Sequence, residues 1–140
     1  MYNVADVLKD LVEQSGKSLR TIGIEADISN SQLSRYVRNT IPQYEISLKL
    51  AKYFDCSLDF LFGLTEAKGK FYESYDIKKF LPRYLKLLED NKTTHWKFSH
   101  KYNISESGLR KWKHGIIPKM ETIAIIAESF GCSIDYLLGK

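Results

Sequence analysis

The sequence predicts an all-α protein consisting of two tandem five-helix domains joined by a short linker. Three observations carry that expectation. The chain repeats itself: FDCSLDFLFG (54–63) returns as FGCSIDYLLG (130–139), 76 residues later. Its apolar residues recur at helical spacing. Serines and threonines stand where helices should begin, and glycines or prolines where they should stop.

At the 76-residue offset, residues 1–64 align with 77–140 without a gap, and 16 positions are identical. These include Leu11/Leu87, Ile28/Ile104, Ser29/Ser105, Leu33/Leu109, Pro42/Pro118, Ala51/Ala127 and Asp59/Asp135. Arg35/Lys111, Tyr36/Trp112 and Phe60/Tyr136 are conservative pairs. Duplication of one small unit is the economical reading, because each copy is near the lower size limit for a domain that folds alone. The expected organisation is a domain over 1–64, a linker over 65–75 and a second domain over 76–140. The linker contains Phe71, Tyr72 and Tyr75, which are costly to leave in water and are expected to pack against a domain or at an interface.

Within the first copy, Val4, Val7, Leu8, Leu11 and Val12 form one apolar helical stripe, with Gly16 just beyond it. Ser18 is placed to cap a second helix to about Ala26, with Ile22 inward. Ser29 is placed to cap a third to about Asn39, with Leu33 and Tyr36 inward, and Pro42 breaks the chain after it. A fourth helix is expected over 44–54, with Leu48, Ala51 and Phe54 inward. Ser57 should cap a fifth, 58–62, which Gly63 ends. In the second copy Thr94, Ser105 and Ser133 occupy the cap positions and Pro118 the break. Phe98, Leu109, Trp112, Ala127 and Phe130 take the inward slots. Pro82 fits only the first turn of its helix or a kink.

Composition bounds the function. The 140 residues are 44% hydrophobic and 27% charged, a globular balance. No membrane span or secretory signal is expected, so the expected location is the cytoplasm. Cys56 and Cys132 sit in apolar runs and are expected to be buried small hydrophobes. The net charge of +4 is uneven, with seven basic against eight acidic residues in 1–64 and twelve against six in 77–140. That imbalance suits a polyanionic partner, although a merely soluble basic surface would look similar. No metal-binding histidine pattern, phosphate loop or nucleophile elbow is visible, so no catalysis, cofactor, metal or small-molecule ligand is expected. His95 and His100 are expected to be plain surface residues.

Helices 18–26 and 29–39, joined by a tight turn at 27–29, are arranged as a helix-turn-helix. With Leu33 and Tyr36 inward, the second of them exposes Asn30, Ser31, Gln32, Ser34, Arg35 and Arg38, with no carboxylate among them. Asn and Gln can form two-pronged pairs with adenine and Arg with guanine in the major groove. The segments SLRTIGIEADISNSQLSRYVRN, IP and LKLAKYFDCSLDFLFG, with THWKFSHKYNISESGLRKWKHGIIP and IAIIAESFGCSIDYLLG in the second copy, resemble lambda-repressor-like (Xre/Cro/CI-type) helix-turn-helix domains.

That resemblance implies a sequence-specific, double-stranded-DNA-binding transcriptional regulator, expected to be a repressor. It implies base-reading positions at Asn30, Ser31, Gln32 and Arg35. Phosphate contacts would fall at Ser18, Leu19, Arg20 and Arg38, where Leu19 departs from the family's usual glutamine. Gly23 replaces a usual alanine, expected to loosen that helix by up to roughly 1 kcal/mol. In the second copy the readers would be Glu106, Ser107, Gly108 and Lys111, a poorer set, with Lys97, Arg110, Lys113 and His114 as phosphate contacts. A division of labour follows: the first copy reads sequence and the second grips phosphate. Eleven linker residues extend at most about 36–40 Å, against about 34 Å between successive major grooves on one face. One chain could therefore span two half-sites, or one copy could bind DNA while the other forms a homodimer. The chain stops after its last expected helix, so no separate sensing domain is expected. The alternative is an antitoxin or other protein-interaction module, with the linker aromatics as its contact.

Overall fold

A computed structural model describes residues 3–140. Among these residues there are ten α-helices, one turn of 3-10 helix and no strand. The chain divides into two compact units, the first ending at Tyr72 and the second running Glu73–Lys140.

The first unit contains α1 (Val4–Ser15), α2 (Leu19–Ala26), α3 (Asn30–Arg38), α4 (Tyr44–Phe54) and α5 (Leu58–Leu61). Helix α1 buries Val4, Ala5, Leu8 and Leu11, while Val7 and Val12 are half-buried at the edge of its stripe. Asn3 caps it by accepting from the Asp6 N–H, and Gly16 ends it at φ +68°, a conformation that suits a residue without Cβ. The hydroxyls of Ser18, Ser29 and Ser57 accept from the N–H groups of Thr21, Gln32 and Phe60, capping α2, α3 and α5. Helix α1 packs on α3 and α5, and α2 on α3 and α4. Leu8, Ile22, Leu33, Leu50, Leu58, Leu61 and Phe62 fill the space between them. Each such side chain contributes about 1.5–3 kcal/mol by leaving water. In α4 the inward face falls on Ser47, Leu50 and Ala51, whereas Leu48 and Phe54 are half-buried. Ser47 is affordable there because its hydroxyl donates to the Pro42 carbonyl at 2.9 Å.

Residues 65–72 lie in this first unit. The Lys68 carbonyl accepts from the Ser57 N–H at 3.0 Å, and the Phe71 N–H donates to Asp55 Oδ1 at 3.1 Å. Phe71, Tyr72 and Tyr75 are all half-buried.

The second unit contains the 3-10 turn Ile77–Lys79, then α6 (Phe80–Asp90), α7 (His95–Tyr102), α8 (Gly108–Lys113), α9 (Met120–Phe130) and α10 (Ile134–Leu137). Pro82 is the third residue of α6, within the first turn, where its missing N–H costs nothing. Thr94 and Ser133 cap α7 and α10 as expected. Ser105 does not cap the next helix: its hydroxyl lies 2.9 Å from that of Ser107, and α8 begins at Gly108. Tyr75 donates its hydroxyl to Asp135, and the Asp76 N–H donates to the Leu138 carbonyl at 2.8 Å, closing the entry of this unit against its last helix. Cys56 is buried and Cys132 half-buried, so only the first fully matches its expected burial.

His95 is not a surface residue. It is 8% exposed and sits against Tyr84 and Trp112. The Tyr84 and Trp112 rings meet it edge-on at 5.8 and 5.7 Å between centroids. Its Nε2 lies 3.0 Å from the Glu106 carbonyl and its Nδ1 2.7 Å from the Tyr84 hydroxyl. A carbonyl only accepts, so Nε2 carries the proton, and in the neutral ring Nδ1 accepts from Tyr84. Burial pushes the Tyr84 phenol well above its ordinary value.

Candidate nucleic-acid interface

In the first unit the site is the pair α2–α3 and the turn between them. Asp27 ends α2 in the left-handed region at φ +60°, which an Asp tolerates better than most residues. Lys49 of α4 holds that turn by donating to the Asp27 carbonyl at 2.9 Å, with the Asp27 carboxylate 3.4 Å away. Nothing in the local sequence marks this tie, because the partners are 22 residues apart. Gly23 is buried under the turn. A Cβ there would lie 2.5 Å from the Ile28 carbonyl oxygen and 3.4 Å from Leu33 Cδ1. The glycine is therefore a packing requirement that draws α3 onto α2. The lower helix propensity of glycine remains, but the contact with the Ile28 carbonyl leaves no room for the alanine that propensity favours.

Leu33 and Tyr36, at 1% and 7% exposure, anchor α3 to the core. The opposite side carries Asn30, Ser31, Arg35 and Arg38, all exposed, with Ser34 half-buried. Gln32 is half-buried and already engaged. Its backbone N–H donates to Ser29 Oγ at 3.2 Å, and its side-chain Oε1 accepts from the Ser29 N–H at 3.4 Å and the Ser29 hydroxyl at 3.1 Å. This reciprocal capping box is written in the spacing Ser-x-x-Gln of 29–32. A two-pronged pair with adenine needs both ends of the amide, so in this conformation Gln32 offers only its NH2 group.

Ser18 uses its hydroxyl to cap α2 and to donate to Thr21 Oγ1 at 3.0 Å. Arg20 is exposed and lines an open cleft of about 530 Å³ with Ile24, Asp27, Ser29 and Asn30, so an expected phosphate contact and an expected base reader share one rim. On the flank of the unit, Lys17 pairs with Glu25 at 2.8 Å, which holds the Glu25 carboxyl below its ordinary value. Both side chains are largely exposed, so the pair contributes little to stability.

In the second unit, Lys97, Arg110, Lys111, Lys113 and His114 are all exposed. His114 Nδ1 donates to the Arg110 carbonyl at 2.7 Å. Ser107 is half-buried and tied to Ser105, and Glu106, whose side chain is exposed, sits in the turn with its carbonyl held by His95. Gly108 is buried at the first position of α8, and a Cβ there would lie 3.0 Å from the Trp112 ring. The larger Trp112 thus occupies room beside the backbone, and the helix is six residues long against nine for α3.

A family model described as helix-turn-helix matches residues 8–61, from within α1 to the end of α5. No curated protein and no solved structure matches the chain.

Proposed function

We propose that this chain is a sequence-specific double-stranded-DNA-binding transcriptional regulator of the lambda-repressor-like type, acting as a repressor. The observation that carries the reading is the exposed side of α3. It presents Asn30, Ser31, Arg35 and Arg38 with no carboxylate, on a helix locked by Leu33, Tyr36 and a turn tied to Lys49. A helix of this width enters a major groove. There Arg35 pairs with guanine and Asn30 with adenine, while Ser31 and the free amide protons of Gln32 add single contacts. Arg20 and Arg38 neutralise flanking phosphates, and Ser18 lies beside them at the start of α2.

The second unit carries a second helix-turn-helix domain over 76–140, richer in cations and poorer in base readers than the first. Lys97, Arg110, Lys113 and His114 engage the phosphates, and Lys111 and Ser107 make the remaining groove contacts. The match of 8–61 to a helix-turn-helix model, the 16 identities between the halves and the concentration of positive charge in 77–140 support this assignment. Action takes place in the cytoplasm, on one chain or a homodimer.

A second reading, in which one unit binds a protein partner, is favoured by one specific feature. An apolar cleft of about 330 Å³ in the second unit is lined by Phe80, Leu81, Trp112 and Pro118, with Ile116 and Ile117 exposed at 58% and 48%. Mobility shift on duplex DNA across a salt series separates the two. The regulator binds at low salt, with log affinity falling linearly as log salt rises. Absence of duplex binding at every salt concentration, together with a stoichiometric protein complex, overturns it in favour of the second reading.

A further inference from the structure

We infer that the second unit carries a stacking site for an unpaired nucleobase, and so binds single-stranded nucleic acid through Trp96, in a cleft that shares Arg110 and Lys113 with the proposed duplex phosphate contacts. Trp96, on the first turn of α7, is 57% exposed, an unusual position for the largest apolar side chain. It is braced rather than loose: His100, one turn on, lies against it with ring centroids 4.3 Å apart and planes 34° apart. The His100 ring is fixed in turn by a hydrogen bond from Nδ1 to the Trp96 carbonyl at 2.7 Å.

Trp96 lines an open cleft of about 360 Å³ with His95, Glu106, Leu109, Arg110 and Lys113. The floor is apolar and aromatic, and two of the wall residues are cations. That combination suits a flat aromatic ring attached to an anion, which is what an unpaired nucleotide presents. A base within a duplex has both faces covered by its neighbours and cannot use the platform. Glu106 is the one anion in the wall, and its carboxylate can accept from the exocyclic amino group of cytosine. At the corresponding offset the first unit has Arg20 and Ile24 in place of Trp96 and His100. The aromatic pair is therefore particular to the second unit.

The test titrates the full-length chain with a 12-nucleotide single strand of mixed sequence and, in parallel, with the same sequence as duplex. Tryptophan fluorescence and anisotropy of the labelled nucleic acid are the readouts. The single strand is expected to quench the intrinsic fluorescence of the native chain and to leave that of Trp96→Phe, which retains only Trp112, nearly unchanged. Trp96→Ala should weaken single-strand binding by about 5–150-fold while duplex affinity stays within about twofold. Because Trp96 is exposed, both variants should keep the native circular dichroism spectrum. Equal losses for single strand and duplex, quenching that persists in Trp96→Phe, or no single-strand binding at all would overturn the proposal. The duplex arm reports separately on the regulator reading.

Discussion

Replacing His95 with phenylalanine keeps a planar ring of similar size between Tyr84 and Trp112, and removes both hydrogen bonds. The Tyr84 hydroxyl is fully buried and has His95 Nδ1 as its partner, so the substitution leaves a buried donor unsatisfied. That costs about 1–3 kcal/mol. The Glu106 carbonyl sits on an exposed residue and can turn to water, so its lost bond adds only about 0.5–1.5 kcal/mol. The sum is about 2–4 kcal/mol. For a domain of this size each kcal/mol lowers the melting midpoint by roughly 4–8 °C, so the second unit should melt on the order of 10–30 °C lower. Tryptophan fluorescence is the natural assay, since Trp96 and Trp112 are the only tryptophans and both lie in the second unit. The decisive comparison is with Tyr84→Phe, which deletes the orphaned hydroxyl. In that background His95→Phe should cost about 1–2 kcal/mol less than in the native chain. If the loss were equal in both backgrounds, or absent in the native one, the buried His95–Tyr84 bond would not be a source of this unit's stability.

Three further outcomes follow from the same geometry. Gly23→Ala should lower stability by about 1–3 kcal/mol through overpacking against the Ile28 carbonyl, offset in part by roughly 1 kcal/mol of helix propensity; a denaturant midpoint that rises instead would show that the turn relaxes without strain. Ser29→Ala should cost about 1 kcal/mol by uncapping α3, and hydrogen exchange should quicken in its first turn but not in α5. The raised Tyr84 value makes a pH prediction. Stability of the second unit is full below the ordinary tyrosine value of 10.0 and declines as pH rises beyond it, because the unfolded phenol ionises first. Tyr84→Phe should flatten that decline, as read by chemical denaturation at pH 8 to 11.

Much of this architecture was legible because helix period and helix caps are local signals. The stripe of α1, the serine caps at 18, 29, 57 and 133 and the inward Leu33 and Tyr36 all lie within a few residues of the features that announce them. What escaped depends on partners distant in sequence or on side-chain size. His95 looks like a surface residue in the string THWK, and only the fold brings Tyr84 and the Glu106 carbonyl to its two nitrogens. Ser105 sits where a cap belongs by analogy with Ser29, yet the held Glu106 carbonyl and the Trp112 ring against Gly108 accompany a later start of α8. The capping role of Gln32 is legible in the spacing Ser-x-x-Gln of 29–32, and it competes with base reading for the same amide. For Gly23 the local sequence shows only the propensity penalty, whereas the contact with Ile28 comes from the turn that follows.

The central claim is that the exposed side of α3 reads base edges while the cations of the second unit grip the backbone. Selection of bound sequences from random duplexes, with affinities then measured across a salt series, tests it most directly on the native chain, Arg35→Ala and Lys113→Ala. Arg35→Ala should change which sequences are enriched. Lys113→Ala should enrich the same sequences as the native chain, bind all of them more weakly, and reduce the salt slope by about one. Enriched sequences that are identical for the native chain and Arg35→Ala, with equal losses from the two substitutions on every sequence, would contradict the claim.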